Sequence, residues 1–234
     1  MNARMAQMVR FAGAVNVLAL AMMLFGVGMA NANDPARPVK IVAFGDSLTA
    51  GYGLQPGSAF PVQLERVLKS RGHSVTVANA GVSGDTTSAG LARVDWAVPD
   101  GTDAVILELG ANDALQGRPA ATARANLDAI LTRLKARGIE VLVAGMRAPR
   151  NLGNEYANAF DAIFPELAEK HGAILYPFFL TGVALDPKLN LPDGIHPTAK
   201  GITVIAERMT PTVEELIARV MARRQTSPKT SPKG

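Results

Sequence analysis

Apolar residues fall along this chain in two rhythms. Lys40–Phe44 is an almost unbroken apolar run stopped by Gly45, the pattern of a strand covered on both faces. Ser74–Ala78 is rich in β-branched residues, and Ala104–Leu109 is apolar and stopped by Gly110. Glu140–Ala144 and the shorter Ala173–Tyr176 complete the predicted strands. Between these runs the spacing lengthens to that of a helix. Ala59–Arg71 carries Phe60, Val62, Leu64, Val67 and Leu68 and is followed by Gly72. Ala120–Arg137 gathers Leu127, Ile130, Leu131 and Leu134 on one face before Gly138. Glu155–Lys170 and a long final segment, Thr198–Arg223, are also predicted helices. Alternation of this kind predicts βαβ units and a parallel sheet with helices on both faces. The expected fold class is α/β. It is a single three-layer α/β/α domain around a five-stranded, mainly parallel sheet of flavodoxin-like type.

The first thirty-odd residues break that rhythm. Arg4 and Arg10 precede an apolar stretch, Phe11–Ala30, interrupted only by Asn16 and ending at Ala30-Asn31-Ala32. A basic start, an apolar middle and a small-x-small site are the layout of a secretory signal peptide, with cleavage expected after Ala32. A retained anchor is the alternative, because about 20 apolar residues span a bilayer. The domains expected are therefore a signal peptide over 1–32, one folded domain over 33–224 and a disordered tail over 225–234, whose Ser, Pro and Lys suit solvation. The mature protein is expected to be exported, periplasmic or secreted, with no stable membrane span, and monomeric.

Composition narrows the chemistry. Hydrophobic residues make up 48% and charged residues 19%, so the chain has enough apolar material for a packed core. The absence of Cys excludes disulfides, thiolate metal sites, a thiol nucleophile and a lipidated cysteine. Three His are too few for most histidine-rich metal sites, and neither a metal nor an organic cofactor is expected. The net charge of +4 falls to +2 once residues 1–32, with two Arg and no acid, are removed. Four further cations, Arg223, Arg224, Lys229 and Lys233, sit near the C-terminus, so the body is close to neutral. No basic patch with interleaved aromatics appears, and nucleic acid is not an expected partner.

In sheets of this type, functional groups gather beyond the carboxyl ends of the strands. Four polar, Gly-containing segments fall there: Gly45–Thr49, Asn79–Asp85, Gly110–Asp113 and, before the last helix, Asp193–Pro197. Ser47 lies at a strand-to-helix turn, where a hydroxyl projects above the sheet edge. A serine needs a base to become a nucleophile, and His196 is the candidate. Asp193, three residues earlier, is placed to orient the imidazole and stabilise its charged form. Thr49 stands where the nucleophile elbow of α/β-hydrolases has its second Gly, so that motif is absent. Singly, each residue has a plainer reading: Ser47 or Asn112 as a cap, Asp193-Gly194 as a turn, His196 as a surface histidine.

The four segments stand as FGDSLTAGYG, NAGVSGDTT, LGANDAL and DGIHP. In this order they resemble the GDSL, or SGNH, hydrolases, from Ile41 to about Gly201. The likeness is greatest to their thioesterase, lysophospholipase and arylesterase branch. The resemblance implies Ser47 as nucleophile, His196 as base and Asp193 as orienting acid. It also implies an oxyanion hole made by the backbone N–H groups of Ser47 and Gly84 and the side-chain amide of Asn112. A histidine base must be neutral to begin acylation, so activity is expected to rise from acidic toward mildly alkaline pH.

The remaining candidates are assigned to structure. Asp46 is expected to brace the nucleophile turn, and Asp85 and Asp113 to fix their loops. His73 and His171 read as solvated helix-end residues, and Trp96, Phe44 and Phe60 as core. The loop Met146–Gly153 follows the fourth strand and is expected to overhang the site. By resemblance it lines an acyl groove, so Leu115, Met146, Arg147, Ala148 and Pro149 are candidate substrate contacts, with Arg147 or Arg150 available to an anionic head group. The expected substrate is a small-molecule or lipid-like ester or thioester: a lysophospholipid, an acyl thioester or an aryl ester. A carbohydrate O-deacetylase and a non-catalytic exported binding domain are the alternatives.

Overall fold

The computed structural model of the chain describes residues 37–226, so the expected signal peptide and most of the expected tail lie outside the described residues. The chain begins with β1 (Val39–Gly45), followed by the one-turn α1 (Ser47–Ala50) and by α2 (Phe60–Ser70). β2 (Val75–Gly81) and α3 (Thr87–Ala97) come next, then β3 (Ala104–Glu108), the short α4 (Ala111–Leu115) and α5 (Ala120–Ala136). β4 (Glu140–Ala144), α6 (Asn154–Asp161), α7 (Ile163–His171) and β5 (Ile174–Tyr176) lead to the long α8 (Ala199–Thr226).

All four strand pairings are parallel, in the order β2-β1-β3-β4-β5. The order reverses between β1 and β3. In sheets of this type a crevice opens at that switch point, beyond the strands' carboxyl ends. The short helices that follow β1 and β3 carry Ser47 and Asn112, so the topology sets these two residues side by side.

The predicted strands and helices are all present, with informative shifts. β2 runs three residues further than its apolar stretch, because Asn79, Ala80 and Gly81 still pair with Ala43, Phe44 and Gly45. The single helix expected over 155–170 is two helices that break at Ala162. Pro165 is the cause: it has no N–H for the carbonyl of Asp161, and its ring crowds that carbonyl. α8 continues to Thr226 despite Pro211 within it, so the first two residues of the expected tail are helical.

α3 was not among the predicted helices. Its inward face is made of Thr87, Gly90, Arg93 and Val94 rather than an apolar stripe. Gly90 allows that helix to approach the sheet, since a Cβ there would stand 2.3 Å from Leu109 Cδ1. Trp96, expected in the core, is instead 73% exposed on the outer side of this helix, while Phe44 and Phe60 are fully buried as expected.

Two of the three histidines lie at the amino edge of the sheet, where helices end and strands begin. They are not simply solvated. His73 Nε2 lies 3.1 Å from Glu214 Oε1, and His171 Nε2 lies 2.5 Å from Asp128 Oδ1. The same edge holds a buried cluster. Asp103 accepts two hydrogen bonds from Arg37 at 2.6 and 2.7 Å, one from Arg224 at 2.7 Å and one from the Lys40 N–H at 2.8 Å. This cluster fastens the end of α8 to the start of β1 and β3.

Candidate active site

The carboxyl edge is built on the turn after β1. Asp46 caps α1: its Oδ1 accepts from the Leu48 N–H at 3.0 Å, which leaves Ser47 as the first helical residue. Gly45 is required here, because a Cβ would lie 2.4 Å from Glu108 Oε2 and 2.2 Å from Thr49 Oγ1. Ser47 is nearly buried yet lines the crevice with His196.

His196 arrives on a loop tied back on itself. The Leu191 N–H donates to the His196 carbonyl at 2.7 Å, and Asn190 pairs with Pro197 in an antiparallel bridge. Asn190 Nδ2 in turn donates to the carbonyls of Val183 and Asp186. Asp193 Oδ1 accepts from the backbone N–H groups of Ile195 and His196 at 2.9 and 3.0 Å. Its Oδ2 lies 2.7 Å from His196 Nδ1, and His196 Nε2 lies 2.9 Å from Ser47 Oγ.

These contacts fix a tautomer. The His196 backbone N–H, then its ring, then the Ile195 N–H hold the Asp193 carboxyl down at about 2, so Asp193 is an anion with only lone pairs to offer. Nδ1 therefore carries the hydrogen and donates to Asp193. Nε2 presents its lone pair, and Ser47 Oγ donates to it. Tyr52 lies against the same imidazole, ring centroids 4.5 Å apart and 37° between planes. Nothing in the sequence reading singled out Tyr52; its place follows from the left-handed Gly51 that ends α1.

Asn112 Nδ2 is held from two sides, by Asp46 Oδ2 at 3.1 Å and by the Asp85 carbonyl at 2.9 Å. Asn112 Nδ2 therefore has both its amide hydrogens engaged. Gly84 stands one residue before that Asp85 carbonyl, with φ +87° and open space where a Cβ would be. The Asp85 carboxylate is bound by Arg93 Nε at 2.6 Å. Arg93 also donates to the carbonyls of Ala80 and Gly45, and its guanidinium lies 4.1 Å over the Phe44 ring. Arg93 thus joins the ends of β1 and β2, a role that a buried arginine does not advertise in sequence. Asp113 holds Thr87 by both its N–H and its hydroxyl, as expected of a loop brace.

Beside Ser47 and His196 opens a cavity of about 370 Å³. Its walls include Leu48, Leu115, Met146, Pro149, Phe178, Leu180, Leu185 and Ile195, with Asn112 and Arg147 as polar members. Four of the five candidate residues, Leu115, Met146, Arg147 and Pro149, thus line this cavity. Ala148 does not: it is buried, and its N–H donates to Asp161 Oδ1 at 2.9 Å, so it anchors the loop rather than lining the groove. The same Asp161 pairs with Arg150 at 2.6 Å. Arg147 is exposed and rests on the Phe178 ring at 4.9 Å, which makes it the cation that faces the cavity. Among the described residues no cluster of His and acidic side chains could hold a metal, and no helix is long and apolar enough to cross a membrane.

The GDSL-like Lipase/Acylhydrolase family matches residues 43–203. An arylesterase of Vibrio mimicus is 40% identical over 169 residues, covering 72% of this chain and 84% of that protein. Thioesterase 1/protease 1/lysophospholipase L1 of Escherichia coli is 36% identical over 178 residues, 76% of this chain and 84% of that protein. Among solved structures, AlinE4, an SGNH-hydrolase family esterase, aligns with a TM-score of 0.66 and 48% identity, covering 76% of this chain and 96% of that chain.

Proposed function

From the premise that this chain belongs to the GDSL-like Lipase/Acylhydrolase family and is a serine ester hydrolase, we propose that it works through Ser47, His196 and Asp193 by an acyl-enzyme route. The observation that carries this reading is the unbroken relay from Ser47 Oγ through the His196 ring to Asp193, at 2.9 and 2.7 Å.

In acylation, Ser47 Oγ attacks the ester or thioester carbonyl while its proton passes to His196 Nε2. Asp193 stabilises the imidazolium through Nδ1 without taking the proton. The tetrahedral oxyanion is received by the backbone N–H groups of Ser47 and Gly84 and by Asn112 Nδ2. Collapse expels the alcohol or thiol, which collects the proton from His196. Water then enters, His196 removes its proton, and hydrolysis of the acyl-Ser47 ester restores the resting site.

The apolar walls favour an acyl chain, and Arg147 at the mouth suits an anionic leaving group. Lysophospholipid, acyl thioester and aryl ester are all consistent with such a cavity. We also read the chain as exported, on the strength of the Arg4-to-Ala32 pattern, with action in the periplasm or outside the cell.

The test is hydrolysis of p-nitrophenyl butyrate by the chain beside its Ser47→Ala variant, with folding followed by circular dichroism. Activity in the parent and a loss of about 10⁴-fold or more in the folded variant are expected. Equal turnover by both proteins would remove Ser47 from the mechanism.

A further inference from the structure

Beneath the nucleophile turn lies a second acid that the acyl-transfer chemistry does not use. Glu108, the last residue of β3, is fully buried. Its Oε2 accepts from Thr49 Oγ1 at 2.7 Å and from the Asp46 N–H at 3.2 Å. Its Oε1 is buried and receives no hydrogen bond. Asp46, equally buried, has no such vacancy. Its Oδ1 is taken by the Leu48 N–H and its Oδ2 by Asn112 Nδ2.

Two buried carboxyls this close do not both ionise readily, because their like charges repel in a medium that solvates neither. The hydrogen bonds decide which one holds a proton. A proton on Asp46 would face a donor whichever oxygen carried it. At Oδ2 it would oppose the Asn112 amide and turn that side chain round. A proton on Glu108 Oε1 opposes nothing.

We propose that Glu108 is a positioning residue: it carries the pair's proton, keeps Asp46 an anion, and through that anion holds Asn112 with its amide nitrogen at the site. The proposal rests on Asn112 as an oxyanion donor and adds the group that orients it. Burial first, and then the Asp46 charge, push the Glu108 carboxyl well above the usual carboxylate range. Burial also raises Asp46, to about 6, against the Leu48 N–H, the His196 ring and the Glu108 carboxyl acting as a donor. The other charged groups in this environment are Asp85, which raises Asp46 further, and Arg93, which binds Asp85.

The test uses kcat, KM and the acid limb of kcat/KM on p-nitrophenyl butyrate for the parent, Glu108→Gln, Glu108→Leu, Asp46→Asn and the Asp46→Asn/Glu108→Leu pair. Parent and Ser47→Ala activities are measured first, so that a failure of the hydrolase reading is seen separately. Gln resembles a protonated Glu, and Glu108→Gln is expected to keep kcat within about threefold. Glu108→Leu is expected to lose about 10- to 100-fold in kcat, with KM little changed, as an oxyanion donor is misplaced. Its acid limb, which reports the Asp46 anion that holds Asn112 as well as neutral His196, should move toward neutral pH, because Asp46 has lost a donor. An ionised Glu108 would give the opposite movement, since removing a like charge makes Asp46 more acidic. In the Asp46→Asn background, Glu108→Leu should add less than about twofold, because the effect passes through Asp46. A Gln variant that loses more than tenfold, a Leu limb that stays or moves to lower pH, or independent multiplying effects would each overturn the assignment. Should the Leu variant fail to fold, the Gln result still decides.

Discussion

Asp103 and Glu108 lie on or beside the same strand, β3, at opposite edges of the sheet. Burial works against the charge of Asp103, yet hydrogen bonds from Arg37, the Lys40 N–H and Arg224 more than offset it and hold the carboxyl below its usual range. Glu108 is given a hydroxyl and backbone N–H groups but no cation, and burial lifts it. The histidines divide the same way. At the amino edge, His73 and His171 each meet a carboxylate through Nε2. At the carboxyl edge, His196 meets its carboxylate through Nδ1, so Nε2 is left for Ser47. Asp103, a buried acid with cations, fastens chain segments, whereas Glu108, without them, is raised by burial. Of the three His–acid pairs, His196 is the one whose second ring nitrogen faces a serine hydroxyl, which is what the proposed base requires.

The sharpest way to break that comparison is to remove the histidines one at a time. His196→Ala is expected to lower kcat on p-nitrophenyl butyrate by about 10⁴-fold or more. His73→Ala and His171→Ala should stay within about twofold, because their partners, Glu214 and Asp128, lie on α8 and α5 away from the crevice. Their effect belongs in the melting temperature. Loss of turnover in either amino-edge variant would show that the two edges are not functionally separate.

The next effect is on stability. Asp103→Ala takes away the carboxylate that pairs with Arg224, whose side chain is 2% exposed, and with Arg37. Removing one member of a buried pair costs about 3–5 kcal/mol, which for a domain of this size lowers Tm by about 6–20 °C. Turnover per folded molecule should be unchanged. The folded Asp103 is more acidic than the unfolded one, so its contribution is present above the unfolded value and is lost as pH falls through the folded value. The gap between parent and variant in thermal melts should therefore narrow on strong acidification. A constant gap would mean that packing, not charge, holds this edge.

The sheet was legible because β1, β3 and β4 are apolar runs, as parallel strands buried on both faces are, and because β2 is marked by β-branched residues. The candidate site was legible because three of its segments follow strand ends and the fourth precedes the last helix, in the family's order. What escaped has physical causes. α3 hides its face with Thr87, Gly90 and Arg93, which carry no apolar period. The break at Ala162 turns on one proline, and a second proline, Pro211, breaks nothing within α8. Ala148 looked like a groove residue by position in its loop, but the Asp161 carboxylate captures its N–H and turns the segment inward. Glu108 drew no notice inside the apolar run Ala104–Leu109. Its burial depends on Gly45 and Thr49 from another strand and turn, a relation that no local pattern records.

The smallest effect separates the two edges by the sign of their pH dependence. At about pH 4 Glu108 is largely neutral in both folded and unfolded chains, and Glu108→Gln should melt close to the parent. Above that, the unfolded Glu108 releases its proton and the folded one, raised by burial and by Asp46, keeps it. The native state then binds more protons than the unfolded state, and stability falls with rising pH by at most about 1.4 kcal/mol per unit for this one group. Gln cannot titrate, so the variant lacks that fall. Asp46, raised to about 6, adds a fall between roughly pH 4 and 6 that both proteins retain. Thermal melts from pH 4 to 8 should therefore show the two curves together at the acid end and the Gln variant higher at the alkaline end. Acidification should thus weaken the Asp103 edge and relieve the Glu108 edge. Parallel curves across the range would mean that Glu108 ionises in the folded protein at its ordinary value, and that the two edges treat buried carboxyls alike.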